Sequence, residues 1–282
     1  MKIGVTGATG LLGRNLCSLL RAEGHEVIEY SSKNLDIREE ICFPELDVVY
    51  HLAADPRVHL AKKAPCDCFK TNAFGTLNVL EAAHRVGVRK IIYASSVLVY
   101  KNLKNAKETE ALEPSGPYGW SKLIGEHLVR QYSDLFGMDY AILRPTALYG
   151  PGMYKNSLFD LAKGFANNES IILFHSLDSE FDFIHAKDAA CAFLLALGWK
   201  NVAVNVSAGE GTMLASLYDI LRQICKISVP VEIRENSRQC CIADNSKLKS
   251  LGWRQEYSIE RGVDEVLKYE QSKKRGEKWN QH

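Results

Sequence analysis

The sequence lacks any long hydrophobic run and any excess of charge of one sign. No apolar stretch in its 282 residues approaches the ~20 residues of a bilayer-spanning helix, and the chain starts in a strand pattern rather than a secretory signal. The formal net charge at pH 7 is +1, which gives no support for a nucleic-acid partner or an anionic membrane surface. We therefore expect a cytoplasmic protein that binds neither nucleic acid nor membrane.

Patterns for disulfides and metal sites are also missing. The eight cysteines are scattered, and without an export signal reduced thiols are expected. Cys66 with Cys68, and the adjacent Cys240 and Cys241, have the wrong spacing for a structural zinc site. The sequence thus predicts no metal centre.

The sequence does contain a regular alternation of strand and helix patterns. Short apolar runs, typical of buried parallel strands, alternate with amphipathic segments, two of which end at Gly87 and Gly137. The predicted strands cover 3–5, 27–30, 46–54, 90–94 and 140–144, and the predicted long helices cover 70–86 and 118–136. This order predicts an α/β fold with a doubly wound parallel sheet.

Three glycines follow the first predicted strand and lead into a helix. Gly7 allows a tight turn, Gly10 lets the backbone approach a pyrophosphate, and Gly13 lets the helix pack close to the strand. The phosphates would then lie at a helix N-terminus, where free N–H groups and the helix dipole favour anions. This motif predicts a dinucleotide site on a Rossmann-type sheet.

The alternation changes after Gly150-Pro151-Gly152, where connections lengthen and become polar. A strand-then-helix pattern returns at 183–197, and the last part holds short helices and one short strand at 231–233. We expect an NAD(P)-binding domain over 1–150. The chain is expected to return to this domain at 181–206. A smaller α/β substrate-binding cap is expected over 151–180 and 207–282.

A tyrosine and a lysine stand at i and i+4 in the predicted helix 118–136. These positions share a helix face, and an ammonium beside a phenol lowers the phenol pKa from its usual ~10. The Tyr118–Lys122 pair is therefore predicted to exchange a proton with an alcohol or ketone during hydride transfer. Ser96 follows a sheet strand at the edge where ligands bind, and we predict that its hydroxyl holds the substrate oxygen.

With these motifs in this order, the chain resembles the extended short-chain dehydrogenases/reductases of the NAD-dependent epimerase/dehydratase family. The resemblance covers nearly the whole chain. It rests on 6–13, 36–37, 51–54, 71–76, 95–96, 117–122, 144–152, 182–188 and 246–253.

The resemblance implies that Tyr118 is the general acid/base, that Lys122 lowers its pKa and binds the nicotinamide ribose, and that Ser96 polarises the substrate oxygen. It also implies that Asn72 supports the active site, and that a homodimer forms by pairing helices 70–86 and 118–136 into a four-helix bundle. The predicted cofactor-binding residues are Gly7, Thr9, Gly10, Leu11, Leu12, Gly13, Arg14, Ser31, Ser32, Lys33, Asp36, Ile37, Leu52, Ala53, Ala54, Asn72, Ser95, Tyr118, Lys122 and Pro145.

The second strand ends without the acidic residue that would hold the adenosine ribose hydroxyls. It ends in Ser31, Ser32 and Lys33, which would accept a 2′-phosphate, with Arg14 as a second positive charge. We predict a preference for NADP over NAD. The alternative is that Lys33 is only solvated and NAD is used.

Departures from the family pattern narrow the expected reaction. The 4,6-dehydratases resemble one another in carrying Asp and Glu at the positions of Val97 and Leu98. The 3,5-epimerase/reductases use a cysteine and a histidine where this chain has Val97 and Gly152. Both of these reactions are therefore disfavoured. Ala147 and Phe181 replace an asparagine and an arginine that usually bind the nucleotide diphosphate.

The expected activity is hydride transfer at carbon four of a nucleotide-activated sugar, by a 4-epimerase or a 4-ketoreductase. Two alternatives stay open. One is a reductase of a small non-nucleotide carbonyl compound, and the other is an NADP-sensing binding protein without turnover.

Three further side chains are expected to be structural. Phe181 is predicted to pack in the core rather than stack on a base. His51 and His185 are predicted to be hydrogen-bonded structural histidines rather than catalytic groups.

Overall fold

A computed structural model of the chain describes residues 1–235, 237–277 and 279. Its largest element is a parallel sheet built from β1 (Lys2–Thr6), β2 (Glu26–Tyr30), β3 (Val48–His51), β4 (Lys90–Ala94), β5 (Asp139–Pro145) and β10 (Val202–Val206), with labels in chain order. The six strands lie in the order β2-β1-β3-β4-β5-β10. The chain passes from β1 to β2 on one side and then crosses to β3 on the other side of β1. Open α/β sheets bind ligands at such a change of direction, here between β1 and β3. The predicted doubly wound α/β sheet is confirmed.

Helices cover both faces of this sheet, which explains the continuous apolar strands. On one face, α1 (Leu11–Ala22) and α7 (Ala186–Leu195) form a core with inward side chains such as Ile92. On the other, α4 (Gly75–Arg85) and α5 (Pro117–Phe136) pack on side chains such as Ile91. Because neighbouring residues of one strand enter opposite cores, both must be apolar.

The predicted helix at 70–86 starts earlier and is not regular. A short helix, α3 (Pro65–Phe69), continues into a π-helical turn (Lys70–Phe74) and then into α4. Single π-turns frequently mark functional sites, and this one carries Asn72. The predicted helix at 118–136 is confirmed as α5, and Gly137 ends it in the left-handed conformation with φ 68°.

The C-terminal part forms a smaller layer with its own core. This core includes Leu158, Leu217 and Val263, and its helices are α6 (Ser157–Asn167), α8 (Leu214–Cys225) and α10 (Ile259–Arg275). Its short strands are β6 (Ala147–Tyr149) paired with β9 (Phe183–His185), β7 (Ile171–Leu173) paired with β12 (Val231–Ile233), and β8 (Glu180–Phe181) between β11 (Thr212–Met213) and β13 (Cys240–Cys241). The short helices α2 (Val58–Ala61) and α9 (Ser246–Ser250) complete the fold.

The described part of the chain holds no candidate for a membrane-spanning helix, a metal site or a disulfide. None of its helices combines the length and the apolar character needed to cross a bilayer. It also contains no group of three or more His, Cys, Asp or Glu side chains arranged to hold a metal ion. All eight cysteines are free thiols.

Candidate active site

The glycine turn after β1 has the geometry that the sequence predicts. Gly7 adopts φ +72°, and a Cβ there would stand 2.7 Å from the Ala53 nitrogen. At Gly13 a Cβ would stand 2.7 Å from the Ala8 Cα and closer still to the Gly7 carbonyl oxygen. The tight turn and the close packing of the helix therefore both require glycine.

The start of α1 fits a bound phosphate. Thr9 and Gly10 are exposed, and the helix has neither a side-chain cap nor an acidic residue in its first turn. Free N–H groups and the positive end of the helix dipole therefore face the space above the turn. Across the turn, Leu52 and Ala53 leave β3 by donating to Thr6, with N···O distances of 3.2 and 3.3 Å. Strand β3 covers only Val48–His51 of the predicted strand 46–54.

The end of β2 is an exposed polar turn. The Asn34 Oδ1 accepts from the Ser31 nitrogen at 2.7 Å, and Ser32 and Lys33 are exposed. Within the described part of the chain, Lys33 forms no ion pair. The exposed Lys33 thus offers a positive charge shortly after Tyr30, whose carbonyl accepts from the Ala8 nitrogen of the glycine turn at 3.1 Å.

Arg14 does not add the second positive charge that we predicted. Its guanidinium donates to the Pro151 carbonyl and lies against Gly152, and burial lowers its pKa. The side chain is therefore committed to the turn after β6 instead of being free beside Lys33.

Two predicted adenine neighbours have protein partners of their own. The Asp36 carboxylate accepts from the Arg38 Nε at 2.9 Å, and the hydrogen bonds from Arg38 lower its pKa to about 2. Ile37 is buried against Gly75, where a Cβ would stand 2.8 Å from its Cδ1. Their cofactor contacts stay a prediction.

The structure brings Ser96 and Tyr118 together. Ser96 caps a 3₁₀ turn (Val97–Val99) after β4, and its Oγ accepts from the Leu98 nitrogen at 3.2 Å. The first turn of α5 packs on this segment so closely that a Cβ at Gly119 would collide with the Leu98 carbonyl oxygen. The Tyr118 phenol thereby interacts with the Ser96 side chain.

Burial dominates the electrostatics of the Tyr118 phenol. Burial, with smaller contributions from Cys68 and Asp55, raises its pKa to about 12, while the hydrogen bond with Ser96 lowers it. The Lys122 Nζ instead donates to the Ala94 carbonyl at 2.8 Å, and burial lowers its own pKa to about 8. Burial therefore outweighs the charges around the phenol in the protein alone, and the acidification by Lys122 stays a prediction.

Asn72 supports the backbone on both sides of the site. Its Oδ1 accepts from the Asp55 nitrogen at 2.7 Å, and its Nδ2 donates to the Ser121 Oγ at 3.1 Å. Ser121 in turn donates to the Tyr118 carbonyl at 2.7 Å. The π-turn therefore ties the loop after β3 to the start of α5.

Sequence reasoning missed a buried carboxylate beside this site. The Ser95 hydroxyl donates to the Glu126 Oε1 at 2.6 Å, so this side chain, predicted to touch the cofactor, is held by the protein. Pro145, also predicted there, is buried at the end of β5. The only signal for Glu126 was its position one turn after Lys122.

The three side chains expected to be structural have protein partners, and their roles stay a prediction. His51 is buried between the hydroxyls of Thr6 and Thr76, at 2.8 Å from Nδ1 and 3.0 Å from Nε2. His185 is buried and stacked on Tyr257 with ring centroids 3.9 Å apart, and its Nδ1 accepts from the Lys187 nitrogen. The Phe181 ring packs against the core of the C-terminal layer.

We expect the His51→Gln variant to be less sensitive to acid than the unmodified protein. Burial lowers the pKa of His51 from 6.5 to about 3, so only the unfolded state takes up this proton as the pH falls below 6.5. This histidine alone should lower the free energy of unfolding by about 1 kcal/mol between pH 7.5 and 5.5. Urea unfolding at both pH values measures the difference, with exposed His127→Gln as control. An equal acid loss in both variants and the unmodified protein would contradict the assignment.

The glycine turn, the parallel sheet and the Ser96, Tyr118 and Lys122 side chains at its carboxyl edge are those of an extended short-chain dehydrogenase/reductase. The family model for the NAD dependent epimerase/dehydratase family matches residues 3–207. The chain belongs to this family.

Relatives of known name cover nearly the whole chain. It is 30% identical to a putative UDP-glucose 4-epimerase of Methanocaldococcus jannaschii over 94% of this chain and 97% of that one. The UDP-glucuronic acid 4-epimerase of Bacillus cereus, solved with UDP-glucuronic acid and NAD, is 25% identical with a TM-score of 0.88, covering 96% of this chain and 99% of that one. The UDP-glucose 4-epimerase of Thermotoga maritima shares the fold, with a TM-score of 0.86 at 24% identity, covering 95% of this chain and 98% of that one.

Proposed function

We propose that the protein is a nicotinamide-dependent epimerase that inverts carbon four of a nucleotide-activated sugar. The observation that carries the proposal is that α5 packs on the turn after β4, which brings the Tyr118 phenol to the Ser96 side chain, with Lys122 one turn further, at the edge of the sheet that also holds the glycine turn. A bound nicotinamide ring supplies the hydride acceptor and donor and, when oxidised, a positive charge.

Each side chain has a defined task in this scheme. The Ser96 hydroxyl orients the sugar oxygen, and Tyr118 takes or returns the hydroxyl proton as the carbon is oxidised or reduced. Because burial keeps the free phenol protonated, oxidation needs a further positive charge beside it to lower its pKa. Lys122, held by the Ala94 carbonyl, is positioned to contribute such a charge.

A nucleotide sugar is the favoured substrate because relatives that cover nearly the whole chain carry UDP-sugar 4-epimerase names. We propose that the nucleotide lies between the sheet and a substrate-binding cap formed by 151–180 and 207–282. Ala147 and Phe181 lack the amide and the guanidinium of the family pattern, so phosphate contacts must come from other side chains of the cap.

Incubation with UDP-, GDP-, dTDP- and CDP-hexoses, followed by chromatographic separation of the 4-epimers, tests the proposal. We expect one nucleotide series to be epimerised without net consumption of cofactor. Stoichiometric NADPH oxidation would indicate the 4-ketoreductase instead. Consumption of NADPH only with small ketones would contradict a nucleotide-sugar function.

We propose further that the cofactor is NADP, with Lys33 binding the adenosine 2′-phosphate. Lys33→Ala should then weaken NADPH binding about tenfold, the loss of one charge-assisted contact, and leave NADH binding unchanged. Fluorescence titration of both cofactors measures this, with Lys226→Ala as a distant control. Tighter binding of NADH by the unmodified protein would contradict the preference.

We propose that two copies pair through α4 and α5. The exposed apolar side chains on α5, and on the π-turn that leads into α4, support this, since exposed apolar surface marks interfaces. They are Phe74, Trp120, Ile124, Leu135 and Phe136. Trp120→Glu should convert a dimer into a monomer in sedimentation, whereas Ile233→Glu, an equally exposed apolar position on β12, should not. A monomeric unmodified protein at micromolar concentration would contradict the pairing.

A further inference from the structure

Behind the candidate active site lies a buried ion pair between α5 and β5. The Glu126 side chain is 0% exposed and the Arg144 side chain 2%. The guanidinium binds both carboxylate oxygens, with Nε to Oε1 at 2.8 Å and Nη2 to Oε2 at 2.6 Å. The pair is therefore bidentate, which fixes both side chains in one orientation.

The carboxylate of Glu126 reaches two parts of the site. Ser95, which donates to it at 2.6 Å, directly precedes Ser96. On α5, Glu126 lies one turn beyond Lys122, and its charge raises the pKa of Lys122 against the effect of burial. One side chain thus constrains the strand end that carries Ser96 and acts on the Lys122 ammonium, which lies one turn after Tyr118 on α5.

The same pair is connected to the C-terminal part of the chain. The Arg144 Nη1 donates to the Tyr100 hydroxyl at 2.7 Å, and this hydroxyl donates to the Asn205 Oδ1 at 2.7 Å. Asn205 then donates to the carbonyls of Ala106 and Asp244 at 2.9 and 3.1 Å. These hydrogen bonds hold the Arg144 guanidinium in place, and through it the Glu126 carboxylate.

Stability alone does not account for this arrangement. Desolvating two charges cancels much of their attraction, and replacement of a buried ion pair by apolar residues is often neutral or stabilising. A charged pair next to reacting groups does have a use, because its field and its geometry act on them.

We propose that Glu126 is a positioning residue, which fixes Ser96 through Ser95 and acts with its charge on the Lys122 ammonium one turn before it on α5. The kinetic part of this inference rests on the proposed function. The groups that act on Lys122 or pack against it are Cys68 from α3, His51 from β3, the Tyr93 ring from β4 at 5.1 Å, and Glu126 from α5. Glu126 supplies the only carboxylate among these groups.

Glu126→Gln keeps the shape of the side chain and removes its charge. We expect kcat to fall about 10- to 100-fold with KM within about twofold, since the substrate is not touched. With the negative charge gone and Arg144 still positive, the Lys122 pKa falls, so the alkaline limb of the kcat profile should move about one unit to lower pH. Asp188→Asn, which alters another buried carboxylate that binds the nitrogens of Glu256 and Tyr257, should leave the limb in place. If the alkaline limb of the kcat profile of Glu126→Gln lies at the same pH as in the unmodified protein, the proposal is overturned.

A double variant separates positioning from a structural role. Glu126→Leu with Arg144→Met removes both charges, and its thermal stability should stay close to that of the unmodified protein. We expect its kcat to stay at least tenfold reduced. Recovery of kcat together with stability would assign the pair to folding alone.

A readout without turnover separates this inference from the proposed function. In protein labelled with ¹³Cε-lysine, the Lys122 signal is identified by its loss in Lys122→Met. Glu126→Gln should shift its titration midpoint downward by about one pH unit. An unchanged midpoint would refute the electrostatic role even if no sugar were ever turned over.

Discussion

Replacing Tyr118 by phenylalanine should lower the turnover number about 10³-fold while leaving the fold intact. General acid–base catalysis contributes about 10²- to 10⁴-fold, and the nearby Ser121 hydroxyl cannot replace the phenol, since it donates to the Tyr118 carbonyl. Cofactor binding should fall far less than turnover, because Tyr118 is one of many predicted cofactor contacts and the glycine turn lies on β1 and α1. Single-turnover measurements of cofactor reduction, with binding measured separately, test both statements.

A control on the same helix distinguishes chemistry from packing. The Tyr132 hydroxyl donates to Glu81 on the outer part of α5, so Tyr132→Phe also removes one phenol from this helix. Its turnover should stay within about twofold of the unmodified protein, as expected for a change away from the reacting groups. Equal losses in both variants would show that the Tyr118 effect is structural.

Gly13→Ala should weaken cofactor binding at least 100-fold. The added Cβ would stand 2.7 Å from the Ala8 Cα and closer to the Gly7 carbonyl, and all of these are backbone atoms that cannot rotate away. The turn must open, so the N–H groups at the start of α1 lose their common direction toward the phosphates. We expect a loss of about 3 kcal/mol in binding free energy, which corresponds to that factor.

Isothermal titration with both oxidised cofactors measures this loss. Gly198→Ala is the matched control, because a Cβ there meets nothing within 4 Å. Gly198 lies after α7, outside the glycine turn. The control should bind as the unmodified protein does. Undiminished binding by Gly13→Ala would mean that the dinucleotide does not lie on this turn.

The sequence predicts the sheet and the glycine turn because local rules govern both. The runs at 90–94 and 140–144 are apolar on both faces, and Gly7 and Gly13 are needed for reasons confined to one turn. Helix α5 was found almost to the residue, since Pro117 and Gly137 are strong boundary signals. The π-turn at Lys70–Phe74 has no comparable signal, because it depends on how α3 and α4 pack on α5.

The electrostatics of the site could not be obtained from spacing. Tyr118 and Lys122 share a helix face, but the sign of the pKa shift at the phenol depends on burial, which outweighs every charge nearby. Arg14 follows the glycines in sequence, yet its guanidinium reaches Pro151. Glu126 and Arg144 are 18 positions apart, so their pairing appears only when β5 and α5 are brought together.

The most direct test of the central claim uses a nucleotide sugar carrying deuterium at carbon four. If Ser96, Tyr118 and Lys122 support reversible hydride transfer at that carbon, the 4-epimer will retain the deuterium, the cofactor will show no net change, and Tyr118→Phe will form almost no product. Exchange of the deuterium with solvent, or equal product from Tyr118→Phe, would contradict the account.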